Sequence, residues 1–267
     1  MNFWPGLTNG GYDGERRPST ARDHRTPRTA AWLAAAAAVT AVAHAGPGIT
    51  GFGPVRMLAF RRLAGQGDAD HVALTFDDGP DPDSTPHFLD VLAGRAVHAT
   101  FFMLGSMVKK APGLAAEIAA AGHEVGVHGF DHRYLTLRGP RATRSDLVRA
   151  TTLITDVTGK RPTLFRPPYG VLSGAALLAA RELGLTPVLW QSWGREWIPG
   201  ASPESVLQAL VSGLDGGATV LLHDSGCTSP AGAWRNGLAA LPLLLDECER
   251  RELRVGPLAE HRLLSRS

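Results

Sequence analysis

From about residue 70 onward the chain alternates short runs rich in β-branched and aromatic residues with longer stretches of helical spacing. That rhythm restricts the fold more than any other feature, because strands separated by helices pair parallel and become buried on both faces. Strand-like runs fall at 71–76, 98–103, 124–127, 163–166, 186–190, 218–222 and 253–255. Helical spacing falls at 106–121, 144–158, 174–183, 203–214 and 233–250. Seven strands over this length suit a small parallel barrel or a doubly wound sheet. A chain of 267 residues, 44% hydrophobic and 19% charged, can bury such a core as one large domain.

The segment ahead of the rhythm is different in kind. Residues 1–28 are rich in Gly, Pro and Arg without apolar periodicity, and are expected to be a disordered leader. An Ala-rich segment follows at 29–45, preceded by Arg25 and Arg28 and ending in the small-x-small sequence Ala43-His44-Ala45. It reads as a secretory signal, a membrane anchor or a helix docked on the domain, which favours an exported or cell-envelope location and allows membrane contact. Glycines and prolines bound 46–69, read as a linker, leaving 70–256 as the domain and 257–267 as a C-terminal tail. A net charge of only +2 leaves no nucleic-acid footprint. Cys227 and Cys248 form no CxxC pair, so zinc-finger and thioredoxin-like chemistry is unsupported; a disulfide and two free thiols both fit.

The clusters of reactive side chains follow the C-terminal ends of expected strands, where parallel α/β folds assemble their sites. The first strand runs into Thr75-Phe76-Asp77-Asp78-Gly79, whose adjacent carboxylates are costly unless something positive neutralises them. The third runs into His128 and His132, spaced to face one cation across a turn. The fourth delivers Arg166 and the rigid Pro167-Pro168-Tyr169-Gly170, the fifth Trp190, Trp193 and Trp197, and the sixth His223-Asp224. Taken singly, each has a plainer reading: a helix cap, an exposed turn, a surface salt bridge. Taken together they define a site. Asp78, His128 and His132 form a two-histidine, one-carboxylate set with positions left for water and substrate, which suits catalytic zinc, with cobalt, manganese or iron as alternatives. Asp77 is then the general base, oriented by Arg166, and His223 protonates the departing amine. The Tyr169 backbone N–H joins the metal in binding the oxyanion. The tryptophans divide between core and an aromatic platform.

These motifs, in this order, closely resemble the polysaccharide deacetylase family, built on the NodB homology domain and also called carbohydrate esterase family 4. TFDDG stands at 75–79, HxxxH at His128 and His132, RxPYG at 166–170, and an LxLHD-like motif at 220–224. The resemblance covers roughly 70–256 and implies an α/β fold, a distorted (β/α)7 barrel, with the same assignment of roles. It further implies an acetyl-methyl pocket formed by Leu221 and Trp197. Two positions depart from the family pattern. Gly129 stands where Ser or Thr is usual, and Trp193-Gly194-Arg195-Glu196-Trp197 replaces DxxDW, so that Glu196 takes the place of the aspartate that tunes the catalytic histidine. The implied activity is metal-dependent removal of acetyl groups from an N-acetylated sugar polymer such as chitin, peptidoglycan or poly-N-acetylglucosamine. An O-acetyl esterase, a small-amide hydrolase of similar fold and a sugar-binding protein with a dead site are the alternatives. The intact Asp77, Arg166 and His223 count against the last.

Overall fold

The computed structural model describes residues 27–263. Apart from the backbone of Pro27 and Arg28, the leader expected at 1–28 lies outside the described residues, as do the last four residues of the tail.

Strand β1 (His71–Asp77) is buried at every position, and its side chains alternate between two environments. Val72, Leu74 and Phe76 join the main apolar cluster under the helices, whereas Ala73 packs inside the barrel with Phe102, Leu164, Val188 and Leu258. A period of two with both faces buried is what a parallel strand wrapped by helices requires. Beside β1 lie β2 (Thr100–Met103) and β7 (Thr219–His223); beyond β2 come β3 (Glu124–Val127), β4 (Leu164–Phe165) and β5 (Thr186–Pro187). β6 (Ser192–Trp193) pairs with β7, and β8 (Arg254–Gly256) pairs with the first half of β1. Every pairing is parallel, and the architecture is the expected distorted (β/α) barrel.

The expected fifth strand at 186–190 is where the structure differs most. Only its first two residues form a strand, β5; residues 188–191 then carry the chain across the seam to β6, at the opposite end of the sheet, and close the barrel. The Val188 N–H donates to Phe165 O on the β4 side at 2.9 Å, and the Gln191 N–H donates to Thr219 O on the β7 side at 3.0 Å. Buried carbonyls outside a ladder need other donors. Arg166 serves Val188 O and Leu189 O, and Arg56 serves Trp190 O. Arg56 lies in α2 (Gly53–Ala59), within the stretch expected to be a linker; that stretch packs on the seam instead, and Leu63 O accepts the Leu189 N–H at 2.7 Å.

The helix expected at 106–121 is two, α4 (Gly105–Lys110) and α5 (Pro112–Ala120), because Pro112 brings no N–H to continue the first. Helix α3 (Thr85–Gly94) was not expected; α6 (Pro140–Thr158), α7 (Gly174–Leu183), α8 (Pro203–Ser212) and α9 (Trp234–Arg250) lie near their expected places. At the N-terminus, α1 (Pro27–Ala45) begins a stretch, Thr29–Gly51, that is long and apolar enough to cross a membrane by length and composition. Trp32, Leu33, Val39 and Val42 on α1 are exposed.

The opposite end of the barrel from the reactive clusters holds buried, uncharged histidines. His261 Nε2 lies 3.0 Å from the carbonyls of Gly65 and Gly217, so it carries the proton, and Nδ1 accepts from His71 Nδ1–H at 2.8 Å. His123 Nδ1 accepts the Ala99 N–H at 3.1 Å. Burial, reinforced by His261 for one and by His98 for the other, lowers both His71 and His123 to about 4. The unfolded chain therefore takes up protons first as pH falls below about 6.5, and the folded state loses stability between there and about pH 4. A melting-temperature series should show a fall of roughly 5 °C or more across that window. His123→Asn, which can accept the same bond without titrating, should reduce that fall.

Candidate active site

Parallel pairing sets the reactive residues side by side before any side chain is considered. Asp77 at the end of β1 is in register with His223 at the end of β7. Val127 pairs with Phe165, which brings the following residues, His128 and Arg166, to the same rim.

Arg166 is fully buried and uses most of its donors. Nη1 donates to Asp77 Oδ1 at 2.9 Å and to Thr75 Oγ1 at 2.7 Å; Nε and Nη2 donate to Val188 O and Leu189 O at 3.2 and 3.0 Å. The guanidinium lies 4.1 Å from the ring centroid of Phe102, which fills the barrel beneath it. The Arg166 carbonyl in turn accepts from His128 Nδ1 at 2.8 Å, fixing the tautomer whose Nε2 lone pair faces the site.

Asp77 and Asp78 are neighbours in sequence, yet they serve different partners. The backbone enters the left-handed region at Asp78 (φ 78°), as it does at His132 (φ 51°) and Tyr169 (φ 61°), a strain that tends to collect at functional sites. Asp78 Oδ1 lies 3.3 Å from His128 Nε2 and 3.4 Å from His132 Nε2. It is buried and has no hydrogen-bond donor. Separations of about 3.3–3.4 Å are the edges of a tetrahedron with metal–ligand bonds of about 2.0–2.1 Å. The orphaned oxygen, the two imidazole lone pairs and these separations fit a divalent metal. Burial raises the Asp78 carboxyl, but His128, His223 and His132 outweigh it and hold the group ionised, well below the usual carboxylate range. Burial and the neighbouring His128 lower His132 to about 4, leaving it neutral as a ligand must be.

Several supporting residues carry no signal in the motif pattern. Thr228, on the loop after β7, donates its hydroxyl to Asp78 Oδ2, the oxygen turned away from the histidines. Asp146 on α6 accepts the Phe130 N–H at 2.8 Å and pairs with Arg138 at 2.7 Å, holding the loop between the two histidines. Gly129 bears on this directly: at φ 86° its added Cβ would come within 3.0 Å of Asp146 Oδ2. Gly79 is similarly constrained, because a Cβ there would meet Asp224 Oδ2 at 2.1 Å.

His223 is held by one carboxylate oxygen. Glu196 Oε1 accepts the His223 backbone N–H at 2.6 Å and lies 2.9 Å from Nδ1. Burial would lower this imidazole, but Glu196, followed by Asp78 and Asp77, overcomes it and raises His223 to about 9. Trp197 meets the His223 ring edge-on at 5.1 Å, and Leu221 is buried two residues before it on β7. Trp190 is core, buried beside Arg56 and Arg166. Tyr169 places its ring 4.4 Å from that of His132. Cys227 and Cys248 are both free.

A polysaccharide deacetylase family profile matches residues 64–188. A peptidoglycan-N-acetylglucosamine deacetylase of Bacillus cereus is 35% identical over 191 residues, covering 71% of this chain and 86% of the relative. A chitooligosaccharide deacetylase of Bradyrhizobium is 33% identical, covering 71% of this chain and 89% of its own length. Among solved structures, the family 4 carbohydrate esterase from Streptomyces lividans in complex with acetate superposes with a TM-score of 0.64 at 32% identity, covering 74% of this chain and 98% of that one. The chain belongs to the polysaccharide deacetylase family.

Proposed function

We propose that the chain hydrolyses the N-acetyl group of an N-acetylglucosamine polymer, peptidoglycan- or chitin-like, and releases acetate. The observation that carries this reading is Asp77 and His223 in register on neighbouring strands, beside the Asp78–His128–His132 set. Asp78, His128 and His132 would hold a divalent metal, zinc by ligand type with cobalt or manganese as alternatives, which would supply Lewis acidity toward the acetyl carbonyl and the attacking water. Asp77 has one oxygen committed to Arg166, while Oδ2, 3.7 Å from His128 Nε2, takes the proton of the attacking water. The Tyr169 N–H donates to the developing oxyanion. His223 is held through Nδ1, so Nε2 delivers a proton to the departing nitrogen as the C–N bond breaks. Leu221 and Trp197 border His223 and form the pocket for the acetyl methyl. The relatives named as peptidoglycan and chitooligosaccharide deacetylases support the polymer.

The exposed apolar α1 supports export or envelope attachment. Fractionation should find the protein outside the cytoplasm, with an N-terminus near Gly46 if the segment is a cleaved signal; recovery from the cytosol alone would refute this.

The mechanism is tested by acetate release from chitooligosaccharides and peptidoglycan, which full metal removal should abolish. Asp77→Asn should lower kcat by at least about 100-fold with metal content unchanged. Loss of the metal in that variant would show that the two aspartates' roles are reversed. Thr228→Val, measured by competition with a chromophoric chelator, should weaken metal affinity by roughly 10- to 100-fold. Glu196→Gln removes the charge that keeps His223 protonated, so the alkaline limb of the kcat profile should move to lower pH. An unmoved limb would mean that His223 is not the acid.

A further inference from the structure

Beyond the metal set, a row of rings leads outward from the site. The His132 ring meets the Tyr169 ring at 4.4 Å, edge to face, and Tyr169 stacks on Tyr134 with centroids 3.7 Å apart and planes within 5°. Tyr134 and Tyr169 are 46% and 47% exposed, too open for core residues. Tyr169 covers one face of Tyr134, and the ring is still nearly half exposed. Tyr134 precedes the 3-10 turn Leu135–Leu137, whose first residue is fully buried, so the ring is mounted on an anchored segment. A flat apolar face with a hydroxyl at its edge suits a pyranose, which offers C–H groups on its faces and hydroxyls around its rim.

We infer that the outer face of Tyr134 is a sugar-stacking subsite for the ring next to the one whose acetyl group enters the metal site. The inference rests on the proposed action on a glycan polymer, and it commits to that polymer as the occupant because the face is continuous with the site through Tyr169. Tyr134 is a binding residue here. It touches neither the reacting carbonyl nor the proton donors, and its contribution grows with substrate length.

The test separates binding from turnover. In an Asp77→Asn background, calorimetric titration with N-acetylchitopentaose should show about three- to tenfold weaker binding for Tyr134→Ala and near-parental binding for Tyr134→Phe. Binding of monomeric N-acetylglucosamine should be unchanged. With Asp77 intact, Tyr134→Ala should raise KM for the pentamer by a similar factor and leave kcat within about twofold. Unweakened pentamer binding by Tyr134→Ala would overturn the subsite, as would a parent that does not bind the pentamer. A kcat loss as large as the KM change would also overturn it, by showing that Tyr134 acts through Tyr169. Length-dependent binding without acetate release would sink the hydrolase reading and leave the subsite standing.

Discussion

The guanidinium of Arg166 joins the closure of the barrel to the orientation of the carboxylate at its rim. Its Nε and Nη2 satisfy the carbonyls of Val188 and Leu189, where the chain leaves one end of the sheet to reach the other. Its Nη1 reaches Asp77 and Thr75 on the central strand, and its own carbonyl fixes the His128 tautomer. A lysine carries its three donors on one nitrogen and cannot span the four acceptors that Arg166 reaches from three. Leaving Asp77 buried without its cation costs about 3–5 kcal/mol, a large part of the stability of a domain this size. Fold and site are therefore coupled: loss of Arg166 would leave the seam carbonyls without their donor and Asp77 buried without its cation.

The same logic of charge explains why two adjacent aspartates do different work. Asp77 is neutralised from inside the barrel by an arginine that cannot leave, so it keeps one fixed oxygen and one facing the site. Asp78, turned by its positive φ, faces two histidine lone pairs, and a metal held there would complete its balance. A carboxylate held by hydrogen bonds suits proton transfer. One with a buried, donor-free oxygen suits coordination.

How much of this could be read from the sequence divides along physical lines. Strand identity, the alternation of elements and the gathering of Asp77, Asp78, His128, Arg166 and His223 on one rim were legible, because each follows from local pattern and from parallel pairing. The early end of the fifth strand was not. Its residues 186–190 are strand-like by composition, and only the need to close the barrel stops the strand after Pro187. Arg56 looked like linker because nothing local reports a carbonyl of Trp190 waiting more than a hundred residues away. Thr228 and Tyr134 are ordinary loop residues until the fold sets one against Asp78 and the other against Tyr169.

Glu196 departs from the family pattern and still reaches His223. The side chain is one methylene longer than the usual aspartate, so its carboxylate needs more room behind His223. Glycines line that room: a Cβ at Gly194 would meet Oε2 at 2.8 Å, and one at Gly237 would lie 3.7 Å from Oε1. Oε1 takes both the backbone N–H and the ring Nδ1 of His223, which ties the imidazole to its own backbone through a single oxygen. Oε2 stays buried without a donor, so the charge is directed toward the imidazole. An unpaired buried oxygen is costly, and the positive charge that His223 carries, with its pKa raised to about 9, offsets part of that cost. The longer carboxylate thus raises the His223 imidazole through its environment, and the family's shorter side chain is only one way to reach that end.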